Sequence, residues 1–269
     1  ETGVMEPIEP IVEVTRLTMD FGGLRALDSV DLDIRKGEIV ALIGPNGAGK
    51  TTFFNCITGI YPPTEGEMTV RPPGKDKIRL NGLKPNKVTE VGLARTFQNI
   101  RLFPSMTVLE NVMVGRHCRL KSGIAGAILR PPSTRKEERK VVDDSYRILE
   151  KMDLEKFVNE YAQNLPYGAQ RRLEIARAMA TDPFILMLDE PAAGLNPSET
   201  DELDELILKL RDQEEVTVLL IEHDMKLVMS LSDRIFVVDY GKKIAHGTPE
   251  EIKNNPAVIK AYLGEEIDA

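Results

Sequence analysis

Residues Gly44-Pro45-Asn46-Gly47-Ala48-Gly49-Lys50-Thr51-Thr52 place glycines, one lysine and two hydroxyls at the spacing G-x-x-x-x-G-K-[ST]. Backbone N–H groups of a tight glycine turn can wrap a chain of phosphates. Lys50 then reaches the β- and γ-phosphates, Thr51 offers its hydroxyl to Mg²⁺, and a helix opening near Lys50 turns its positive dipole end toward the anion. Further along, Ile185-Leu186-Met187-Leu188-Asp189-Glu190 is an apolar run ending in two carboxylates. A phosphate cradle with an acidic strand end is equipment for hydrolysing a nucleoside triphosphate.

These groups need rigid elements to hold them. Residues 39–43 are continuously apolar and read as the strand before the loop, and 52–57 are compatible with the helix after it. Residues 11–14 and 30–34 also read as strands, the second alternating aspartate with apolar residues, and Lys36-Gly37 marks a turn. From 69 to 99, Pro72-Pro73-Gly74 and Asn81-Gly82 punctuate what reads as a flank of short strands ending at 93–98. Between 105 and 164, Val108, Leu109, Val112 and Met113 recur at helical spacing and Pro131-Pro132 divides the stretch, so an inserted helical subdomain is expected. The charged run at 135–140 is read as a solvated helix face. From 165 onward helix and strand alternate over 171–179, 184–188, 199–211 and 216–221, which calls for parallel strands with crossover helices.

With 269 residues and 42% apolar content the chain can bury a sizeable core. A net charge of −8 argues against a broad nucleic-acid footprint, and no nucleic-acid partner is expected. Two cysteines without a C-x-x-C pair suggest neither a disulfide framework nor a zinc site, and fit a reducing cytoplasm. The apolar runs have strand length, and no basic-then-apolar leader is read at the start, where residues 1–4 precede Met5, taken as the initiator. A soluble chain is expected, and docking on a membrane protein stays open.

The order of motifs is more specific than any one of them. The glycine loop is followed by Gln98, by Leu165-Pro166-Tyr167-Gly168-Ala169 leading into Gln170-Arg171-Arg172-Leu173-Glu174-Ile175-Ala176-Arg177-Ala178, by Asp189-Glu190-Pro191, and by His223 after the apolar run 219–221. This set resembles the nucleotide-binding subunit of ATP-binding-cassette (ABC) transporters along nearly the whole chain. Phe21-Gly22-Gly23-Leu24-Arg25-Ala26-Leu27, Arg95-Thr96-Phe97-Gln98, Pro191-Ala192-Ala193-Gly194-Leu195-Asn196-Pro197 and the tail 254–264 are most similar to the ATPase subunits of branched-chain amino acid importers. The resemblance implies an α/β fold: a P-loop NTPase (RecA-like) core on a parallel sheet, an antiparallel β flank and an inserted helical subdomain. Residues 1–104 would form the N-terminal part of the core with the flank, 105–164 the helical subdomain, and 165–269 the C-terminal part of the core.

Residue roles follow from the same resemblance. Phe21 would stack on adenine, the alternative being a core phenylalanine. Asp189 would hold Mg²⁺ directly or through water, and Glu190 would orient or deprotonate the attacking water. Gln98 would sense the metal and the water from a moving loop, and His223 would bond the γ-phosphate and hold Glu190. His117 and His246 are left as surface residues. Relative to Leu-Ser-Gly-Gly-Gln, the signature segment keeps only Leu165 and Gly168. Pro166 suits a first helical position but supplies neither hydroxyl nor N–H to a phosphate. Asn196, standing where the family usually has aspartate, can bond across an interface without charge.

Because the loop and the signature segment of one chain serve different ATP molecules in this family, a second ATPase subunit is implied, identical or related. Integral membrane permease subunits would be driven from the cytoplasmic face, and an external solute-binding protein would act indirectly. Residues 101–106 expose apolar side chains that would face the permease or pack within the subdomain. The rival readings are a lipopolysaccharide-type exporter ATPase, a non-transport switch that binds ATP without turnover, and a cassette ATPase acting on DNA or ribosomes.

Overall fold

Strands form where the apolar residues recur, and two different patterns build two different sheets. The structure, a computed structural model, describes residues 9–116, 118 and 132–263. His117, Pro131, Gly264 and residues 1–4 lie outside the described residues, as do the side chains of Arg135 and Lys136. The chain divides into two compact units, the first drawn from Glu1–Val88 and Leu210–Ala269 and the second from Thr89–Lys209.

In the first unit, β1 (Val12–Phe21), β2 (Leu24–Ile34), β4 (Glu65–Val70) and β5 (Ile78–Arg79) form an antiparallel sheet in the order β2-β1-β4-β5. Val30, Leu32 and Ile34 of β2 are buried while Asp31 and Asp33 between them keep contact with water, the alternation of a sheet with one wet face. Val12 pairs with Ile34 and Val14 with Leu32, so the apolar sets of the two strands share one face. β3 (Ile39–Ile43) instead is buried at every position and lies between β8 (Thr217–Ile221) and β9 (Arg234–Asp239), parallel to both. A strand covered on both faces has no polar alternation to show. β10 (Lys242–Gly247) pairs antiparallel with β9. α7 (Met225–Leu231), α8 (Pro249–Lys253) and α9 (Pro256–Leu263) add Val228, Ile252 and Val258 to a buried cluster with Ala41, Ile43, Ile235 and Val237.

In the second unit, β6 (Leu93–Arg95) and β7 (Ile185–Asp189) run parallel, Leu93 opposite Ile185 and Arg95 opposite Met187. The helices α3 (Val108–Arg116), α4 (Pro132–Lys151) and α5 (Tyr167–Met179) belong to this unit, and α6 (Pro197–Glu214) begins in it. One expectation changes here. The strand-rich flank read over 69–99 ends at β5; α2 (Pro85–Val91) follows, and β6 belongs to a parallel pair rather than to the antiparallel sheet. Pro85 supplies a preset φ at the helix start and no further breaker appears before Gly92, whereas a three-residue strand leaves no period to read. No described helix is long and apolar enough to cross a membrane.

The two thiols differ sharply. Cys56, on α1 (Lys50–Ile57), is buried and its pKa is pushed up to about 11 by desolvation, while Cys118 is exposed. Thiol labelling of the native chain at pH 8 should therefore show one fast equivalent and one that reacts only in denaturant. Two fast equivalents would contradict this packing.

Candidate nucleotide site

The phosphate loop is built in the first unit, between the end of β3 and the start of α1. Gly44 has φ +155°, and a Cβ there would come 2.0 Å from the Val238 carbonyl oxygen; at Gly49, φ +106°, it would come 2.7 Å from the Ala26 carbonyl. Only glycine lets the loop press this closely on its neighbours. Gly49 is also the N-cap of α1, makes no side-chain cap, and the first turn carries no acidic residue. The end of α1 is therefore a set of N–H donors with a positive dipole and no competing carboxylate on its own turn, which fits an anion. Lys50 is 5% exposed, and its ammonium donates to Gly44 O at 2.5 Å and Pro45 O at 2.8 Å. The cation folds back on its own loop, where phosphate oxygens would be stronger acceptors. Asn46, Gly47 and Thr51 are exposed and Thr52 half-buried, while Pro45 and Ala48 are buried. Phe21, at the end of β1, is 41% exposed and meets Tyr61 edge-on at 5.3 Å, so it is not the core phenylalanine of the alternative reading. An exposed aromatic face is available for stacking.

His223 follows β8 and is exposed. Its backbone N–H donates to the buried Glu222 carboxylate at 3.0 Å, while Asp224 caps α7 by accepting from Lys226 N and Leu227 N. The histidine is thus carried on a short turn fixed on both sides. His246 is exposed and stacks on Phe236 at 5.5 Å.

The carboxylates lie in the second unit. Asp189 ends β7, is 4% exposed and accepts a 2.6 Å charged bond from Arg95 Nη2. Glu190 follows with φ +48°, a left-handed backbone that few non-glycine residues adopt and that recurs at working sites. Gln98 Nε2 donates to Glu190 Oε2 at 2.6 Å, so the structure brings these two together. Among the described residues no group of three or more His, Cys, Asp or Glu could hold a metal. Mg²⁺ takes one or two carboxylates and completes its shell with phosphates and water; the hydroxyl of Thr51 in the first unit and the carboxylate of Asp189 in the second are each of a type it accepts.

The signature segment opens α5. Pro166 is the N-cap, with φ −54° and ψ 151°, and the helix begins at Tyr167, so the expectation of proline in the first helical position is corrected by one residue. The extended ψ of Pro166 is what places it just outside the helix. Leu165 is buried and its carbonyl accepts from Gln170 Nε2 at 2.9 Å; Ala169 is also buried. Tyr167 is 43% exposed, and its hydroxyl donates to Ala193 O at 3.1 Å. A Cβ at Gly168 would come 2.7 Å from Glu199 Oε1. Asn196 is used locally: Oδ1 accepts from Glu199 N and its own N–H donates to Glu199 Oε2, a reciprocal cap on α6. Phe103, in the 101–106 stretch, is exposed beneath the Arg177 guanidinium.

Sequence reading missed Arg95, Arg171 and Glu174 as parts of this unit's site. Arg95 stands in the same Arg-Thr-Phe-Gln string that drew attention to Gln98, but its partner is 94 residues away. Arg171 and Glu174 form an i,i+3 pair that a helical reading could have found.

Comparison with known proteins gives the family. The ABC transporter family model matches residues 27–193, and the model described as branched-chain amino acid ATP-binding cassette transporter matches 242–268. The high-affinity branched-chain amino acid transport ATP-binding protein LivG of Salmonella typhimurium is 55% identical over 257 residues, covering 96% of this chain and 99% of LivG. Among solved structures, MJ1267, an ATP-binding cassette of an ABC transporter in its ADP conformation, superposes with a TM-score of 0.81 at 30% identity, over 95% of this chain and 99% of that one. The dimeric structure of MJ0796, a bacterial ABC transporter cassette, gives 0.73 at 27% identity, over 88% and 98%. A glycine loop with an inward lysine, a carboxylate pair after a buried strand and end-to-end likeness to these cassettes have one reading: this chain belongs to the ABC transporter family of ATP-binding proteins.

Proposed function

We propose that this chain is the ATP-hydrolysing subunit of an importer for branched-chain amino acids. The observation that carries the reading is Lys50, a buried ammonium turned onto carbonyls of its own loop beside a helix end that no side chain caps. Such a cation is poised for an anion richer in charge than a carbonyl. The solute class rests on the likeness to LivG and on the tail match.

In this reading Gly44 to Thr52 wraps the phosphates and Phe21 packs on the base. Lys50 moves from the loop carbonyls to the β- and γ-phosphates. Asp189, Thr51 and Gln98 are the residues that would hold Mg²⁺, and the ion would supply positive charge to the phosphate oxygens. Glu190 orients the attacking water and takes its proton, Gln98 keeps the carboxylate in place, and His223 bonds the γ-phosphate. Leu165, Pro166, Tyr167, Gly168 and Ala169 face the ATP of a second ATPase subunit. With no hydroxyl or N–H at Pro166, donation there falls to the backbone near Gly168. Closure on ATP and reopening after hydrolysis is a differential contact that can drive permease subunits, met by the helical subdomain 105–164 on the cytoplasmic face.

Phosphate release by the chain alone and with its membrane partners tests this. Turnover that rises with the permease and with solute-loaded binding protein is the expected result. ATP binding without release in both settings would overturn it in favour of a nucleotide switch.

A further inference from the structure

Helix α5 does more than present the signature segment. One turn in, Arg171 and Glu174 are joined Nη1 to Oε2 at 2.9 Å, with side chains 0% and 2% exposed. Both address the loop that carries Gln98. Arg171 Nη1 donates to Phe97 O and Nη2 to Gln98 O, each at 2.8 Å. Glu174 Oε1 accepts from Phe97 N at 3.4 Å and from Arg101 N at 3.3 Å. Carbonyls and amides of one short loop are therefore held from a single helix face, and the residue inside the clamp is Gln98, whose side chain reaches Glu190.

The pair is costly as a means of stability. Burial pushes the Glu174 carboxyl up, against the pull of Arg171 and of the two backbone N–H groups, and Arg171 Nε is buried without a hydrogen-bond partner. Apolar residues of similar volume often replace a buried ion pair without loss of stability, apart from any backbone groups the pair also bonds. What they would not replace is orientation. A planar guanidinium gripping two successive carbonyls fixes the direction of the peptide between them, and so of the side chain on it.

We infer that Arg171 and Glu174 are positioning residues that tie the signature helix to the Gln98 loop, so that a shift of α5 moves Gln98 relative to Glu190. The inference rests on the roles proposed above for Gln98 and Glu190. It gives one chain a physical route by which nucleotide held at the signature segment governs the water-orienting pair at the end of β7. Contact with a nucleotide is not required of either residue.

The test compares Arg171→Met/Glu174→Met, which leaves neither charge unpaired, with Arg171→Lys and Gln98→Ala in the chain assembled with its membrane partners. The double variant is expected to fold with a lowered thermal midpoint, because two loop carbonyls and two loop amides lose their partners, and to keep its ATP affinity. Its kcat should fall about 10- to 100-fold with KM unchanged, as for a misplaced rather than a missing group. Arg171→Lys should recover part of kcat, since an ammonium keeps the charge and can donate to a loop carbonyl but lacks the planar fork that fixes the direction of both. A folded double variant with parental kcat, beside a Gln98→Ala variant that is impaired, would overturn the clamp while leaving Gln98 in its role. Parental kcat in Gln98→Ala would overturn the role of Gln98 and the inference with it. Should the double variant fail to fold, Arg171→Lys decides alone: a parental kcat overturns the inference, and a lowered kcat at constant KM with faster hydrogen exchange at Phe97 and Arg101 supports it.

Discussion

Glu190→Gln is expected to lower kcat for ATP hydrolysis by about 10²- to 10⁴-fold while ATP affinity stays near the parental value. Glutamine keeps the size of the side chain and an oxygen that can still accept from Gln98 Nε2, now 2.6 Å from Glu190. It cannot take a proton from water at neutral pH. Glu190 has a left-handed backbone, φ +48°, and glutamine leaves the length and branching of the side chain there unchanged. In the proposed function ground-state affinity rests on the phosphate loop, which the substitution does not touch. ATP that is bound but not cleaved should hold two chains together, so the mass in solution with Mg-ATP should double and fall again with ADP. Turnover near the parental rate would remove Glu190 from the chemistry.

Lys50→Ala is expected to fail one step earlier, at binding. A hydrogen bond to a charged group contributes about 1.5–3 kcal/mol, and Lys50 can make more than one to the β- and γ-phosphates, so affinity should drop by about 100-fold or more. In the parental chain, ATP at 100 times its Kd should add about 2.7 kcal/mol of stability. That thermal shift should vanish in Lys50→Ala, and the loss should not come from misfolding. The ammonium donates to backbone carbonyls at Gly44 and Pro45, and its removal leaves β3 and α1 packed by Phe53, Phe54 and Ile57. A shift of parental size would show that the loop does not bind through this cation.

What could be read from the sequence follows the reach of each interaction. The glycine loop was legible because its demands are local: left-handed backbone, close approach and a helix start fall within nine residues. The buried strands β3, β7 and β8 were legible as unbroken apolar runs, with boundaries off by a residue or so. β6 was misplaced because three residues carry no period and its partner is 92 residues further on, Leu93 against Ile185. Asp189 and Glu190 stood out by type, yet Arg95, which grips Asp189, did not, since nothing along the chain ties the two. Asn196 was read as able to bond across an interface, and the Asn-x-x-Glu spacing to Glu199 also describes the helix cap that is seen. The clamp of Arg171 and Glu174 was half visible: the i,i+3 pair is written in the helix, and the loop it holds is some 73 residues away.

The measurement that bears most directly on the central claim is solute uptake into vesicles carrying this chain with its permease partners. With ATP on the side of this chain, radiolabelled leucine supplied on its binding protein should accumulate inside, and Glu190→Gln should abolish uptake without loss of the assembled complex. Uptake that continues at the parental rate in Glu190→Gln, or steady ATP cleavage by the complete parental complex with no solute moved, would contradict the account.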